Sequence, residues 1–509
     1  MLAGVLMAAP SASADFFANI ARSSVIAPED GETWRTSGQL PLTATPVERP
    51  GTPLPGDDAG DGQSELPSLP QLFAHALEHE ASLTSQRLRA QAEGLEVPLA
   101  WARFKPQIDA SLSRSYTRSR NIYTDGNVQS CIDDPETGVP AAGEAFERRC
   151  QGIATDTDRR LSLSQPLFSM ERVRQLQKAN RQRDAAWLQV ETHERDLALQ
   201  VAETYLDSFY YALRVDLLES KRESLDLQVR QAQRAYDLGI GDRIDLLAAQ
   251  AEFDRTLADI AAARDDVIDS LTALERLTGI TVDFDGFVLR ELPVDGFEPP
   301  VVLAKLKDSI ANNADVRLAE ARRRLAHADI DTRRADYYPE LTLGLSYSKR
   351  DSDDPYRDSE DKRATLQASV NLYRGGYTQT RVRQGTLLEK AAMADVANAQ
   401  RQTWEQIRQY RRSIGADIKR LQALARSIDS GELYLEAADK GAALGLRDLV
   451  DVLDARADLY TQRIQYVEVF RRWLLDRLKL EAAVGDLDTN DMVNVMRQLN
   501  HIVARPATG

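Results

Sequence analysis

The chain is short of aromatics, cysteines, histidines and long apolar runs, and each shortage removes a class of protein. Of 509 residues only 6% are aromatic, too few for the several compact cores that a chain of this length ordinarily builds. Cysteine occurs twice, at Cys131 and Cys150, and histidine five times; neither the spacing nor the company suits a metal or redox centre. His75 and His79 share a helical face but lack the His-Glu-x-x-His order of zinc hydrolases. No glycine-rich phosphate loop and no nucleophile motif occurs, so neither an enzyme nor a cofactor is expected. No stretch approaches the ~18–20 consecutive apolar residues of a transmembrane helix, so any membrane passage falls to strands. An excess of positive charge is missing too. The net charge is −15, with basic residues interleaved among acids, which argues against nucleic acid as a partner.

What is abundant is helical text. Charged residues make up 28% of the chain, and Ala, Leu, Arg, Asp and Gln fill stretches that contain no proline. Residues 1–14 form a short apolar segment ending in Ala12-Ser13-Ala14, which reads as the end of a secretory signal peptide, although no Lys or Arg precedes it. Residues 15–67 are rich in Pro, Gly, Asp and Thr without periodicity and read as a disordered extension. In an exported protein the two cysteines, both in one polar segment, read as a loop disulfide.

From residue 68 the text turns helical as far as Phe104, where Lys105-Pro106 stops it. The period then changes to two. Ile108, Ala110, Leu112 and Tyr116 alternate with polar residues, as do Leu161, Leu163 and Leu167, with a polar segment over about 120–157 between them. One helix is predicted from about Ser169 to Leu238, ~70 residues or roughly 105 Å, too long for an ordinary globular domain. It breaks at a glycine turn and returns to Gly279.

The pattern recurs after a linker at 280–300. A helix from about Pro300 to Asp336 is followed by alternating Leu341, Leu343, Leu345 and Tyr347, then by Leu366, Ala368, Val370 and Leu372, and then by a second long helix to Leu444 that breaks at Gly445 and returns to Gly485. Leu238-Gly239 matches Leu444-Gly445, Asp242 matches Asp448, Asp245 matches Asp451 and Gly279 matches Gly485, each pair 206 residues apart. The chain is an internal duplication, with copies at 68–279 and 301–485 and a tail at 486–509. In the last helix Leu446, Val450, Leu453, Ala457, Tyr460, Ile464, Val467, Leu474 and Leu478 keep a heptad spacing, with Arg471 at the one missing step; Trp404, Ile407, Ile414, Ile418, Leu421, Ala425 and Ile428 do the same. Both are coiled-coil seams. The predicted fold is thus mainly α with a β membrane portion. Four strands cannot close a barrel in lipid, so several chains must share one.

Two copies of helix, strand hairpin, long helix, glycine turn and returning helix resemble the TolC family of outer-membrane export channels. The motifs that carry the likeness are Leu163-Ser-Gln-Pro-Leu-Phe168, Asn371-Leu-Tyr-Arg-Gly-Gly376 and the two glycine tips. The resemblance implies a homotrimer in outer-membrane lipid, with a twelve-stranded barrel and a periplasmic helical tunnel. It also implies a periplasmic adaptor protein docking at the tips (Leu238, Gly239, Leu444, Gly445) and an inner-membrane transporter that spends the energy. Asp451 and Asp454 match the family's entrance aspartates, which would form stacked acidic rings that select cations. Three residues apart, they share a helix face, and they are also what the first turns of any helix favour. Arg447 matches the gating arginine and Asp245 the acid that holds the entrance closed, while the family's tyrosine partner falls at Ala442. A soluble coiled-coil scaffold or a periplasmic adaptor is the alternative, and the alternating strands argue against both. The cargo is not written in the chain.

Overall fold

The computed structural model describes residues 66–123, 148–290, 292–293, 296–297, 303–353, 357–444, 446–447 and 449–504. The signal-like segment, almost all of the N-terminal extension, Cys131, Gly445 and Asp448 lie outside the described residues.

One of two compact units holds the strands β1 (Gln107–Tyr123), β2 (Arg148–Ser169), β4 (Glu340–Ser352) and β5 (Ser359–Ser369) in a single sheet of order β1-β2-β4-β5. β1 and β2 are antiparallel, with Gln107 opposite Ser164 and Tyr123 opposite Arg148. The pairing runs well into the segment expected to be a polar loop, because a ladder needs only backbone groups and continues after the side-chain alternation has faded. β2 belongs to the first copy and β4 to the second. Polar contacts fasten the two copies: Arg350 Nε donates to Asp158 at 2.7 Å, Arg159 to Asp351 at 2.7 Å, and buried Asp156 accepts from Ser352 Oγ at 2.7 Å and from Arg357 at 2.6 Å. The apolar residues Ile108, Leu112, Tyr116, Leu366 and Val370 remain exposed within the chain.

The other unit is helical. α1 (Leu69–His79), α2 (Ala81–Gly94) and α3 (Glu96–Ala102) replace the single helix expected over 68–104. Glu80 is the reason for the first break: its backbone is extended and its carboxylate caps α2 by accepting from Leu83 N at 2.8 Å. α4 (Met170–Asp237, 68 residues) and α5 (Arg243–Thr278) form the first long hairpin. In the second copy the helix expected from about Pro300 to Asp336 is likewise broken, into α6 (Leu303–Leu306), a 3₁₀ turn and α7 (Ala314–Arg334) capped by Asn313. α8 (Tyr377–Ala443, 67 residues) and α9 (Leu449–Val484) make the second hairpin.

Within two regions expected to be a linker and a tail, the described residues include regular structure. α10 (Thr489–Ile502) starts at a reciprocal capping box between Asp488 and Asp491, and β6 (Val503–Ala504) pairs antiparallel with β3 (Val288–Leu289). The linker and the tail thus close on each other and on the core around fully buried Tyr205, Tyr466, Phe470 and Trp473.

α9 buries more than the expected seam. Leu453, Val467, Leu474 and Leu478 are buried as the heptad predicts, while Leu446 is exposed. Val452, Leu459, Tyr466, Phe470 and Trp473 form a second buried stripe at spacings of seven, seven, four and three. One helix needs two stripes when it packs on two neighbours, and α9 lies against both α8 and α4.

At the far end of α9, Glu481 faces the start of α10. Burial pushes its carboxyl above the ordinary value of 4.5, and the nearby carboxylates Asp491, Asp486 and Asp488 add to that. A raised folded-state value means that ionised Glu481 opposes folding at neutral pH, a cost that disappears once pH falls below 4.5. Glu481→Gln is therefore expected to raise the melting temperature at neutral pH, with the gain vanishing below pH 4.5. A gain of the same size at every pH, or a loss at neutral pH, would contradict this.

Candidate functional site

The site is the pair of hairpin tips. In the first, α4 ends at Leu238, Gly239 takes a left-handed φ of +73°, and the amides of Ile240 and Gly241 both reach back to Ala235 O at 3.0 Å. This backward bond from the second residue past a helix end is the Schellman closure, which needs a residue that tolerates the left-handed region. Asp242 then caps α5, accepting from Ile244 N at 3.2 Å. In the second tip Leu446 N reaches Gly441 O at 2.9 Å, the same bond displaced by the 206 residues of the duplication. Both turns leave their apolar residues in the open: Leu238 is 75% exposed, Ile240 81%, Leu444 73% and Leu446 77%.

Asp451 and Asp454 lie in the first two turns of α9, Asp451 half-buried and Asp454 exposed. Arg447 stands before that helix and donates to Asp451 Oδ2 at 3.2 Å, one turn away, with side chains 53% and 43% exposed. Asp245 lies half-buried in the first turn of α5. Asp451 and Asp454 are therefore unequal: one shares its charge with a guanidinium, whereas among the described residues Asp454 shows no ion pair.

Behind the acids lies a junction that the sequence does not announce. Leu453 packs with Leu225 of α4 and Ala249 of α5 in a small buried cluster of its own. One turn on, Arg456 is only 8% exposed; it donates Nη1 to the backbone oxygen of Ser224 in α4 at 3.3 Å and Nη2 to Asp439 in α8 at 3.4 Å. The only sequence signal is a charged residue between two alanines on a helix that elsewhere buries that face. Higher up, the hairpins are stitched by charge: Lys221 to Glu252 at 2.7 Å within the first, Arg463 to Glu432 at 2.5 Å within the second, and Arg472 bidentate to buried Asp417 at 2.6 and 3.0 Å.

The sequence matches the family model described as Outer membrane efflux protein over residues 72–280 and 306–486, one segment for each copy of the duplication. Among characterised proteins it is similar to the outer membrane protein TolC of Vibrio cholerae, 26% identical over 440 residues that cover 84% of this chain and 93% of the relative. It is similar also to the alkaline protease secretion protein AprF of Pseudomonas aeruginosa, 27% identical over 387 residues, 75% of this chain and 79% of the relative. Among solved structures, CusC aligns with a TM-score of 0.68 at 16% identity, covering 87% of this chain and 99% of that one. The CmeC outer membrane channel of Campylobacter jejuni aligns with a TM-score of 0.67 at 15% identity, covering 84% and 89%. These structural likenesses show the fold.

Proposed function

The chain belongs to the outer membrane efflux protein family, and from that premise we propose that three copies assemble one passive exit duct. Each chain gives four strands to a shared barrel in the outer membrane and two long hairpins to a periplasmic tunnel. The observation that carries this reading is the pairing order β1-β2-β4-β5, which leaves β1 and β5 as open edges within the chain. Lipid offers no hydrogen bonds to an open edge, so β5 of one copy must meet β1 of the next until the ring closes. The uncovered apolar residues of β1 and β5 fit a lipid-facing surface. The helices of 68 and 67 residues each reach about 100 Å, a length suited to crossing the periplasm.

The relatives point to efflux or protein secretion, and the duct serves either. In this reading a periplasmic adaptor docks on the exposed leucines of the tips, an inner-membrane transporter supplies the energy, and the duct itself performs no chemistry. The tips form the entrance, where Asp451 and Asp454 set charge selectivity and Arg447 and Asp245 bear on the gate. Density-gradient separation of cell envelopes tests the reading: the native protein should band with outer membrane as an oligomer that resists mild detergent. A soluble protein, or one banding with inner membrane, would overturn it in favour of a scaffold or an adaptor.

A further inference from the structure

At the tip Arg447 is engaged along its own helix by Asp451. Further from the tip other side chains join the second hairpin to the first. The contacts between the hairpins thin out toward the tip. The main core lies around Tyr466 and Trp473; nearer the tip a small cluster joins Leu218, Ile260 and Ala263 with Ile464, and nearest it another joins Leu225, Ala249 and Leu453. Between these last two clusters sits Arg456, the only buried arginine among the described residues.

We propose that Arg456 is the latch of the closed entrance, tying the returning helix of the second hairpin to the long helix of the first. Its place supports this. Arg456 lies two and five residues past Asp454 and Asp451 on the same helix, so those acids cannot swing away from the first hairpin while it holds. One guanidinium nitrogen is committed to α4 through a backbone oxygen and another to α8 through Asp439. α4, α8 and α9 therefore meet at one side chain, and moving any of them breaks a hydrogen bond to a guanidinium that is itself buried. The planar fork of arginine serves two acceptors on different helices at once, which a lysine cannot reproduce with the same geometry. Leu453, one turn earlier, fills the adjoining apolar hole but carries no direction, so it would tolerate sliding that Arg456 does not. The acceptor on α4 is a main-chain carbonyl, so sequence change at Ser224 leaves it in place.

The inference rests on the reading of the tips as a gated entrance, and the test separates the two. Full-length protein carrying Arg456→Ala, Arg456→Lys or Asp439→Asn would be reconstituted in planar bilayers beside wild type and Arg447→Ser. Loss of the latch is expected to shift the ratio of open to closed entrances toward open by about tenfold, the weight of one charged hydrogen-bonded contact. This should read as long-lived high-conductance states in Arg456→Ala and Asp439→Asn, with Arg456→Lys between them and wild type. A merely structural role would lower oligomer stability without changing the conductance of channels that do form. If Arg447→Ser opens the entrance while Arg456→Ala and Asp439→Asn behave as wild type, the latch is refuted and the gated entrance stands. If all four variants conduct as wild type does, the gated entrance itself fails and the latch fails with it. Should Arg456→Ala not assemble, Asp439→Asn decides alone, since Asp439 is half exposed and its loss leaves the helices packed.

Discussion

Replacing Asp451 and Asp454 together by Asn is expected to erase the channel's preference for cations, with about a tenfold fall in the ratio of cation to anion permeability. In the proposed trimer three copies place six carboxylates at one narrow entrance, where low-dielectric walls concentrate the field and draw in positive ions. Multivalent cations bind such a ring because one ion satisfies several carboxylates, so block by a trivalent cation should disappear in the same variant. Asn keeps the size of both residues, and oligomers should form as before. The pairing of Arg447 with Asp451 makes the two acids unequal. Asp454→Asn alone should therefore cost more selectivity than Asp451→Asn alone, and Arg447→Ser should sharpen the preference by releasing the second ring. Selectivity and block that survive the double change would reduce both acids to ordinary helix-start residues.

The second large effect lies at the opposite end of α9. Gly485 closes that helix with a φ of +84°, and a Cβ there would stand 2.5 Å from the backbone oxygen of Asn312. A left-handed alanine alone costs roughly 1–2 kcal/mol. The clash adds to this because a backbone atom cannot rotate away, and it abuts Asn313, which caps α7 and donates to Ala483 O at 3.0 Å. The total is expected to exceed about 3 kcal/mol, beyond the ordinary range of single substitutions. Gly279, its counterpart in the first copy, has a φ of +72° and a Cβ there would first meet the ring of His79, at 2.7 Å, and a ring can turn aside. Gly485→Ala should therefore abolish folded oligomer, whereas Gly279→Ala should still yield it with a lower melting temperature. Equal effects at the two sites would mean that the backbone contact at Asn312 is not what makes Gly485 necessary.

The long helices were legible because their boundaries are chemical events. Uninterrupted text with no proline ran from Ser169 to Leu238, and the observed helix is Met170–Asp237. The shorter helices were misread because their breaks lack such marks: Glu80 interrupts by capping with its own carboxylate, and Asn313 caps where the text stays helical on both sides. The strands were legible only where side chains alternate, so the backbone pairing up to Tyr123 and Arg148 was missed. Two-residue strands such as β3 and β6 carry no period at all and exist because a distant tail covers a linker. At the site, Asp451, Asp454, Arg447 and Asp245 could be picked out by matching the tips to a family. Arg456 could not, because its meaning depends on three helices meeting at one point, and no single segment records that.

In the proposed assembly three chains close one duct around a shared barrel. A single-particle structure of the full-length protein, extracted from outer membrane in mild detergent, tests it most directly. It should show three copies in a ring, β5 of each paired with β1 of the next to give twelve strands from three sets of four, and Asp454 facing the axis at the constriction. A monomer with β1 and β5 unpaired, or an assembly in which the acids face away from the axis, would contradict it.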